Sequence, residues 1–130
     1  MTQGQRSMPI LQSTDVDASI DFYTVGLGFS LAGVWKNDDG GTDFAIVQLD
    51  SITLGLQRAD EVQASEKWAA YLYVADIAAY RDQIQVNAVR LSRDLESKFY
   101  GCQDLDVRDP DGNILCFGQD ISPGTNGPGL

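Results

Sequence analysis

The feature that most constrains this chain is that it repeats itself at a fixed offset of 61 residues. Leu11 matches Leu72, Asp15 matches Asp76, Ala18 matches Ala79, Asp21 matches Asp82 and Val25 matches Val86. Further along, Gly40 matches Gly101, Asp43 matches Asp104, Asp50 matches Asp111 and Leu54 matches Leu115. These identities are roughly three times what ordinary composition supplies. The match needs no gap, and it keeps strand, helix and turn signals in step. Chance similarity accounts for that less well than an internal duplication. The fold must then be two copies of one supersecondary unit.

The unit can be read from the patterning. Ile10 to Asp15 reads as a short strand. Asp15 then caps a helix whose Val16, Ile20, Tyr23 and Leu27 share one face, with Asp17 at its positive end. Gly26 and Gly28 end it. Phe29 to Lys36 reads as a strand, followed by the turn cluster Asn37-Asp38-Asp39-Gly40-Gly41. Phe44 to Leu49 and Ile52 to Gln57 read as strands turned at Asp50-Ser51. In the second half Ala70 to Ala75 is a strand, and Asp76 caps a helix carrying Ile77, Tyr80 and Ile84. A weaker strand signal lies at Val89 to Leu91. Leu105 to Arg108 and Ile114 to Phe117 are strands joined by the turn Asp109-Pro110-Asp111-Gly112-Asn113. Each half is βαβββ, and the class is α+β.

Length and composition narrow the role. At 130 residues the chain is one domain by the length prior. Residues 1–7 read as a flexible N-terminal arm and residues 120–130 as a flexible tail. Between them, residues 8–119 form the domain, with modules 8–59 and 68–119. Nineteen acidic against nine basic residues leave a net charge of -10, the wrong sign for a nucleic-acid binder. Histidine is absent, which excludes serine–histidine and cysteine–histidine catalysis in their usual form and removes the commonest metal ligand. Two cysteines are too few for a disulfide scaffold. No apolar run has the length of a signal peptide or a membrane span. The expectation is a cytoplasmic protein with reduced thiols.

Two stretches carry a family resemblance. The run Asp15-Val16-Asp17-Ala18-Ser19-Ile20-Asp21-Phe22-Tyr23, followed by Gly26-Leu27-Gly28-Phe29, resembles the first helix of the vicinal oxygen chelate superfamily. Tyr100-Gly101 followed by Asp109-Pro110-Asp111-Gly112-Asn113 resembles its second signature. That superfamily includes glyoxalase I, extradiol dioxygenases, fosfomycin resistance enzymes and bleomycin resistance proteins. The resemblance covers about residues 8 to 119. It implies two tandem βαβββ modules forming a curled, open-barrel-like mixed sheet with a concave site, and a homodimer. The superfamily's four metal-ligand positions fall at Met8, Gly55, Ala69 and Cys116. Glycine and alanine offer no ligand, and one soft thiol is not a divalent-metal site. The resemblance therefore points to the metal-free, bleomycin-resistance-like group, with no cofactor.

Strand alternation sorts the side chains of such a site. Ile10 and Gln12 share a face with Met8, as Tyr71 and Tyr73 do with Ala69. Thr53 and Gln57 go with Gly55, and Ile114 with Cys116. Asp104, Asp106 and Arg108 lie opposite the core residues Leu105 and Val107. Tyr71 and Tyr73 either clamp a planar ligand or pack against the facing module with their hydroxyls satisfied there. Tyr100 either stacks on a ligand or covers the sheet edge. Trp35 and Trp68 either flank the groove or belong to core or interface. Asp104 and Asp106 either draw a cationic ligand or form a solvated strand face. Cys116 reads as an inert buried residue, with Arg108 the one basic neighbour that could activate it.

The expected function is metal-independent binding of a drug-like, cationic small molecule by sequestration, with antibiotic resistance as the biological setting and no catalytic residue. The site would use Tyr71, Tyr73, Tyr100, Asp104, Asp106, Gln12, Thr53, Gln57, Trp35 and Trp68. The alternative is a metal-free isomerase or lyase using Asp104 as base and a tyrosine as acid. The partners would be the ligand and a second copy of the chain, with neither nucleic acid nor membrane.

Overall fold

The computed structural model describes residues 2–122. They divide between Gln63 and Ala64 into two compact units. In the first unit the order is β1 (Ile10–Ser13), α1 (Val16–Asp21), a π-helical turn (Phe22–Gly26), β2 (Ser30–Lys36), β3 (Thr42–Leu49) and β4 (Ile52–Arg58). The second holds β5 (Trp68–Tyr73), α2 (Ile77–Val86), β6 (Leu91–Ser97), β7 (Cys102–Arg108) and β8 (Ile114–Asp120). The eight strands form two four-stranded mixed sheets, in the orders β1-β4-β3-β2 and β5-β8-β7-β6. The class is α+β, with one βαβββ module in each unit.

Both helices start as their sequences dictate. Asp15 and Asp76 adopt the same extended backbone, and each carboxylate accepts a hydrogen bond from the amide three residues on, Ala18 or Ala79, at 3.1 Å. On α1 and its continuation the buried residues are Val16, Tyr23 and Leu27, joined by Ser19. Ser19 shares a hydrogen bond with Ser13 of β1 at 2.7 Å, so a hydroxyl pair ties helix to strand. Ile20 is half-buried, because the widened π turn moves the apolar stripe past it. On α2 Ile77, Tyr80 and Ile84 are buried, and Tyr80 packs its ring 5.0 Å from Phe117 of β8. Beneath the helices lie Leu11, Ala45, Val47, Leu54 and Leu56 in the first unit. Leu72, Leu105, Val107, Leu115 and Phe117 are their counterparts in the second.

The constant 61-residue offset survives in most of the chain. Ile10 pairs with Gly55 across β1 and β4, and Tyr71 pairs with Cys116 across β5 and β8. The turn after β2, closed by Asn37 N–H to Gly41 C=O, is repeated by Lys98 and Cys102. Gly40 and Gly101 take positive φ angles of 84° and 87° at the same place in each turn, where a side chain would be strained. Two strands break the rule, one of them β6, whose Leu91 and Arg93 answer Leu31 and Gly33 at an offset of 60. β3 carries Asp43 as an extra bulge residue between the Thr42–Lys36 and Phe44–Trp35 pairs, and β7 has no such bulge. Beyond it the offset is 60, so Ala45 and Val47 correspond to Leu105 and Val107. The identity of Asp43 with Asp104 is therefore not a structural equivalence. Phe44 is the counterpart of Asp104, since the two pair with Gln57 and Gly118 respectively.

The weak strand expected at Val89 to Leu91 is in fact β6, Leu91–Ser97. Its Ser, Arg, Asp and Glu residues hide the strand from an apolar-pattern reading. They suit an edge strand that bonds to β7 on one side only. The Asp109–Asn113 segment forms the expected turn. Asp109 accepts from the amides of Asp111 and Asn113 and from the Asn113 side chain, at 2.8 to 3.0 Å. Arg108 reaches back to Glu66 at 2.8 Å and to the Gly112 carbonyl at 3.2 Å, tying the start of the second unit to this turn. Residues 2–9 carry no regular secondary structure. β8 runs through Asp120, and the amides of Ile121 and Ser122 both donate to the Gly101 carbonyl. The remainder of the expected tail, 123–130, lies outside the described residues. No described helix is long and apolar enough to cross a membrane.

Candidate functional site

The face of the second sheet opposite α2 carries a connected polar network. Asp104, on β7, is fully buried at 0% exposure. Tyr71 of β5 donates its hydroxyl to Asp104 Oδ2 at 3.0 Å, and Tyr100 donates to the same oxygen. Arg93 of β6 donates to Asp104 Oδ1 at 2.5 Å and to both Asp106 oxygens at 3.1 Å. Trp68 donates its indole N–H to Asp106 Oδ1 at 3.0 Å. β-Strand parity would put Trp68 opposite Tyr71, but a register irregularity between Trp68 and Ala70 turns it onto the same face. Gly118 on β8 is required there. A Cβ built on it would stand 2.1 Å from the Tyr71 hydroxyl, so only glycine lets that phenol reach Asp104.

Electrostatics follow from the contacts. Burial, then hydrogen bonding around the hydroxyl, holds the Tyr71 phenol well above its ordinary range; burial and Asp104 do the same for Tyr100. Both stay protonated as donors. Burial opposes the charge of Arg93, but its hydrogen bonds to Asp106 and Asp104 outweigh burial and secure the guanidinium. The Cys116 thiol, fully buried, is raised by burial first and by Asp104 and Asp106 next. Its basic neighbour is Arg93, whose Nη2 lies 3.8 Å from Sγ, and not Arg108, which is engaged with Glu66 and Gly112. Burial thus holds Cys116 as a thiol.

Over this network runs a continuous series of aromatic rings. Trp68 and Tyr71 are 5.2 Å apart between centroids, Tyr71 and Tyr73 5.0 Å, Tyr71 and Tyr100 6.4 Å, and Tyr100 and Phe99 5.2 Å. Phe99 at 78%, Trp68 at 45% and Tyr73 at 40% exposure offer ring surface to solvent. Hydrogen bonds to Asp104 and Asp106 fix the orientation of Tyr71, Tyr100 and Trp68.

Six of the expected site residues, Tyr71, Tyr73, Tyr100, Asp104, Asp106 and Trp68, thus meet on one face of the second unit. The other four lie on the first unit. Gln12 and Gln57 are register neighbours across β1 and β4, Thr53 accepts from Gln48 at 3.3 Å, and Trp35 packs its ring 5.7 Å from Phe44. Asp104 is neither a solvated face nor an accessible contact, since every oxygen of its carboxylate is engaged inside the sheet. Sequence reasoning missed Arg93 and Phe99. The signal for Arg93 was an arginine amid acids, one strand before two aspartates in alternation. The signal for Phe99 was an aromatic pair at a hairpin tip.

The positions at which the resemblance implies metal ligands do not fit a metal here. Met8 and Ala69 are exposed and offer no suitable donor, and Cys116 is a protonated thiol facing a guanidinium. A Cβ at Gly55 would stand 2.7 Å from Ile10 Cδ1 and 2.9 Å from Phe44 Cζ, so apolar side chains fill the space a ligand would need. Among the described residues no group of three or more cysteine, aspartate or glutamate side chains is set to hold a metal ion.

Comparison with known proteins agrees with this architecture. No curated protein matches the sequence. A glyoxalase-related enzyme from Clostridium phytofermentans superposes with a TM-score of 0.79 at 19% identity, covering 92% of this chain and 98% of that one. The bleomycin-binding protein of the bleomycin producer Streptomyces verticillus, solved with copper(II)-bleomycin, gives 0.69 at 24% identity, covering 90% and 97%. A bleomycin resistance determinant encoded on transposon Tn5 gives 0.75 at 20% identity, covering 92% and 100%. Identities this low speak for the fold alone. The family model described as Glyoxalase/Bleomycin resistance protein/Dioxygenase superfamily matches residues 7–117, so the chain belongs to that superfamily.

Proposed function

We propose that this chain binds a small, planar, cationic molecule and acts by sequestering it, as a homodimer and without a metal or a chemical step. The observation that carries this reading is the anchored aromatic series on the second sheet. Rings tied down by hydrogen bonds to buried or half-buried carboxylates lose little freedom when a ligand stacks on them. The carboxylates behind them carry more negative charge than Arg93 cancels, which favours a cation against the ring faces. Likeness in fold to a bleomycin-binding protein and to a bleomycin resistance determinant supports the same reading. The acid–base alternative finds less support. Asp104 has no free oxygen to take a proton from a substrate, and both phenols hold their protons tightly.

The test is a fluorescence and calorimetric titration with bleomycin and a panel of planar organic cations. At least one should bind in the micromolar range, about -8 kcal/mol. Trp68→Ala and Phe99→Ala, both at exposed positions, should each weaken it about tenfold, on the scale of one lost stacking contact. Failure of every compound to bind below about millimolar, or full affinity in both variants, overturns the reading.

A further inference from the structure

Where the parallel strands β5 and β8 end side by side, the second unit opens into a pocket of about 420 Å3, lined by Tyr73, Val74, Ala75, Gln119 and Asp120. That volume lies in the range of small-molecule sites. The pocket forms because β5 leaves the sheet at Tyr73. The Val74 amide still donates to the Gly118 carbonyl at 2.8 Å, and Asp76 then caps α2. Gln119 turns to the helix side, where its Oε1 accepts from the Ile77 amide at 3.0 Å. Strand alternation puts Asp120 on the opposite face, the face of Gly118 and the tyrosines. There its Oδ1 accepts from the thiol of Cys102, its register partner on β7, at 3.3 Å. Tyr73, 40% exposed, ends the aromatic series 5.0 Å from Tyr71. Burial, then Cys102 and the charge of Asp120, raise its phenol, so carboxylate and ring act on one another.

We propose that this pocket receives a protonated amine, held between the Tyr73 ring and the Asp120 carboxylate, on a ligand whose planar part lies along the aromatic series. The inference rests on the sequestration reading and names the cationic group that reading requires. A ring face beside a carboxylate suits an ammonium group, which donates to the oxygen and meets the ring with its charge. A carboxylate accepts about four hydrogen bonds and a thiol is a weak donor, so a charged N–H competes well at Asp120. Asp104 and Asp106 cannot make this contact, because Tyr71, Tyr100, Arg93 and Trp68 engage their oxygens inside the sheet. The fold itself does not ask for the pair. In the first unit Gln12 stands where Tyr73 stands, and Ala59 where Asp120 stands.

The experiment is a calorimetric titration with tryptamine, a planar ring on a protonated aminoethyl arm, and with tryptophol, its neutral hydroxyl counterpart. Wild type should bind tryptamine about tenfold tighter than tryptophol or better, the scale of one charge-assisted contact. Asp120→Asn, which keeps an oxygen for the Cys102 thiol, should bring the two compounds within about twofold by weakening tryptamine alone. Tyr73→Leu should cut the preference to about threefold, and Tyr73→Phe should keep it. Trp68→Ala should weaken both compounds and preserve their ratio. Equal binding of the two by wild type overturns the pocket assignment and leaves the sequestration reading standing. An undiminished preference in folded Asp120→Asn does the same. If Asp120→Asn does not fold, an undiminished preference in Tyr73→Leu is the refuting result. Binding of neither compound also overturns the assignment, and the panel of planar cations then decides the sequestration reading separately.

Discussion

Tyr71 in the second unit stands where Ile10 stands in the first, and Cys116 stands where Gly55 stands. Past the Asp43 bulge, Asp104 takes the place of Phe44, Asp106 of Ile46, and Arg93 of Gly33. The same backbone pattern therefore supports two different faces. In the first unit Ile10 and Phe44 close over Gly55, and the Trp35 ring lies over Gly33, where a Cβ would sit 2.7 Å from it. In the second unit every one of these apolar partners is replaced by a group that donates or accepts. The contrast teaches that the module's helix-facing side is set by the fold, since both units bury the same kinds of residue there. The opposite face is free to diverge, provided it diverges as a set. A lone carboxylate at Asp104 would be ruinous; with two phenols and a guanidinium around it, it is satisfied.

The largest expected effect comes from breaking the set at one member. Asp104→Ala leaves Arg93 half-paired and two phenols without their acceptor. It should cost about 3–5 kcal/mol in urea denaturation, as for other broken buried pairs. Converting the set to its first-unit counterparts, Tyr71→Ile, Asp104→Phe and Arg93→Gly together, should cost clearly less than the single change. Equal or greater loss in the triple variant would show that the two faces are not interchangeable solutions.

A smaller effect is expected at the glycine that admits Tyr71. Gly118→Ala should cost about 1–3 kcal/mol from overpacking. Its first-unit counterpart Gln57 is exposed, so Gln57→Ala should stay within about 0.5 kcal/mol of wild type. Similar melting temperatures for the two variants would remove Gly118 from its role. The smallest effect concerns the strand the two units share least. Asp94 of β6 accepts from Arg81 of α2 at 2.6 and 2.7 Å, and this holds its carboxyl down at about 2. A depressed carboxyl contributes stability that is full above the ordinary carboxylate range and fades as pH falls toward about 2. Proton titration followed by NMR should place Asp94 there, and Arg81→Gln should raise it toward the ordinary value of about 4, the Leu95 amide still holding it somewhat below. An unchanged midpoint would detach α2 from β6.

Much of the fold was legible because its signals are local. A capping aspartate, an apolar stripe and an aspartate–glycine turn each act through the few residues beside them, and the duplication doubled every such signal. β6 was not legible, because an edge strand can be polar and pays no penalty for it. The same polarity hid Arg93, whose partners lie on β7 and β8. Trp68 sits on the opposite face from simple alternation because of one irregular residue, and the match of Asp43 with Asp104 misled because of one bulge.

The sequence by itself determined two βαβββ modules, their caps, turns and buried faces, and the absence of histidine chemistry. Only the tertiary structure decided that Asp104 is buried and satisfied, that Arg93 is its counter-ion, and that the exposed aromatics stand in one series. The physical reason is reach. Helix caps and turns are closed by neighbours in the chain, whereas a charge network is closed across strands, where a single bulge sets which side chains meet.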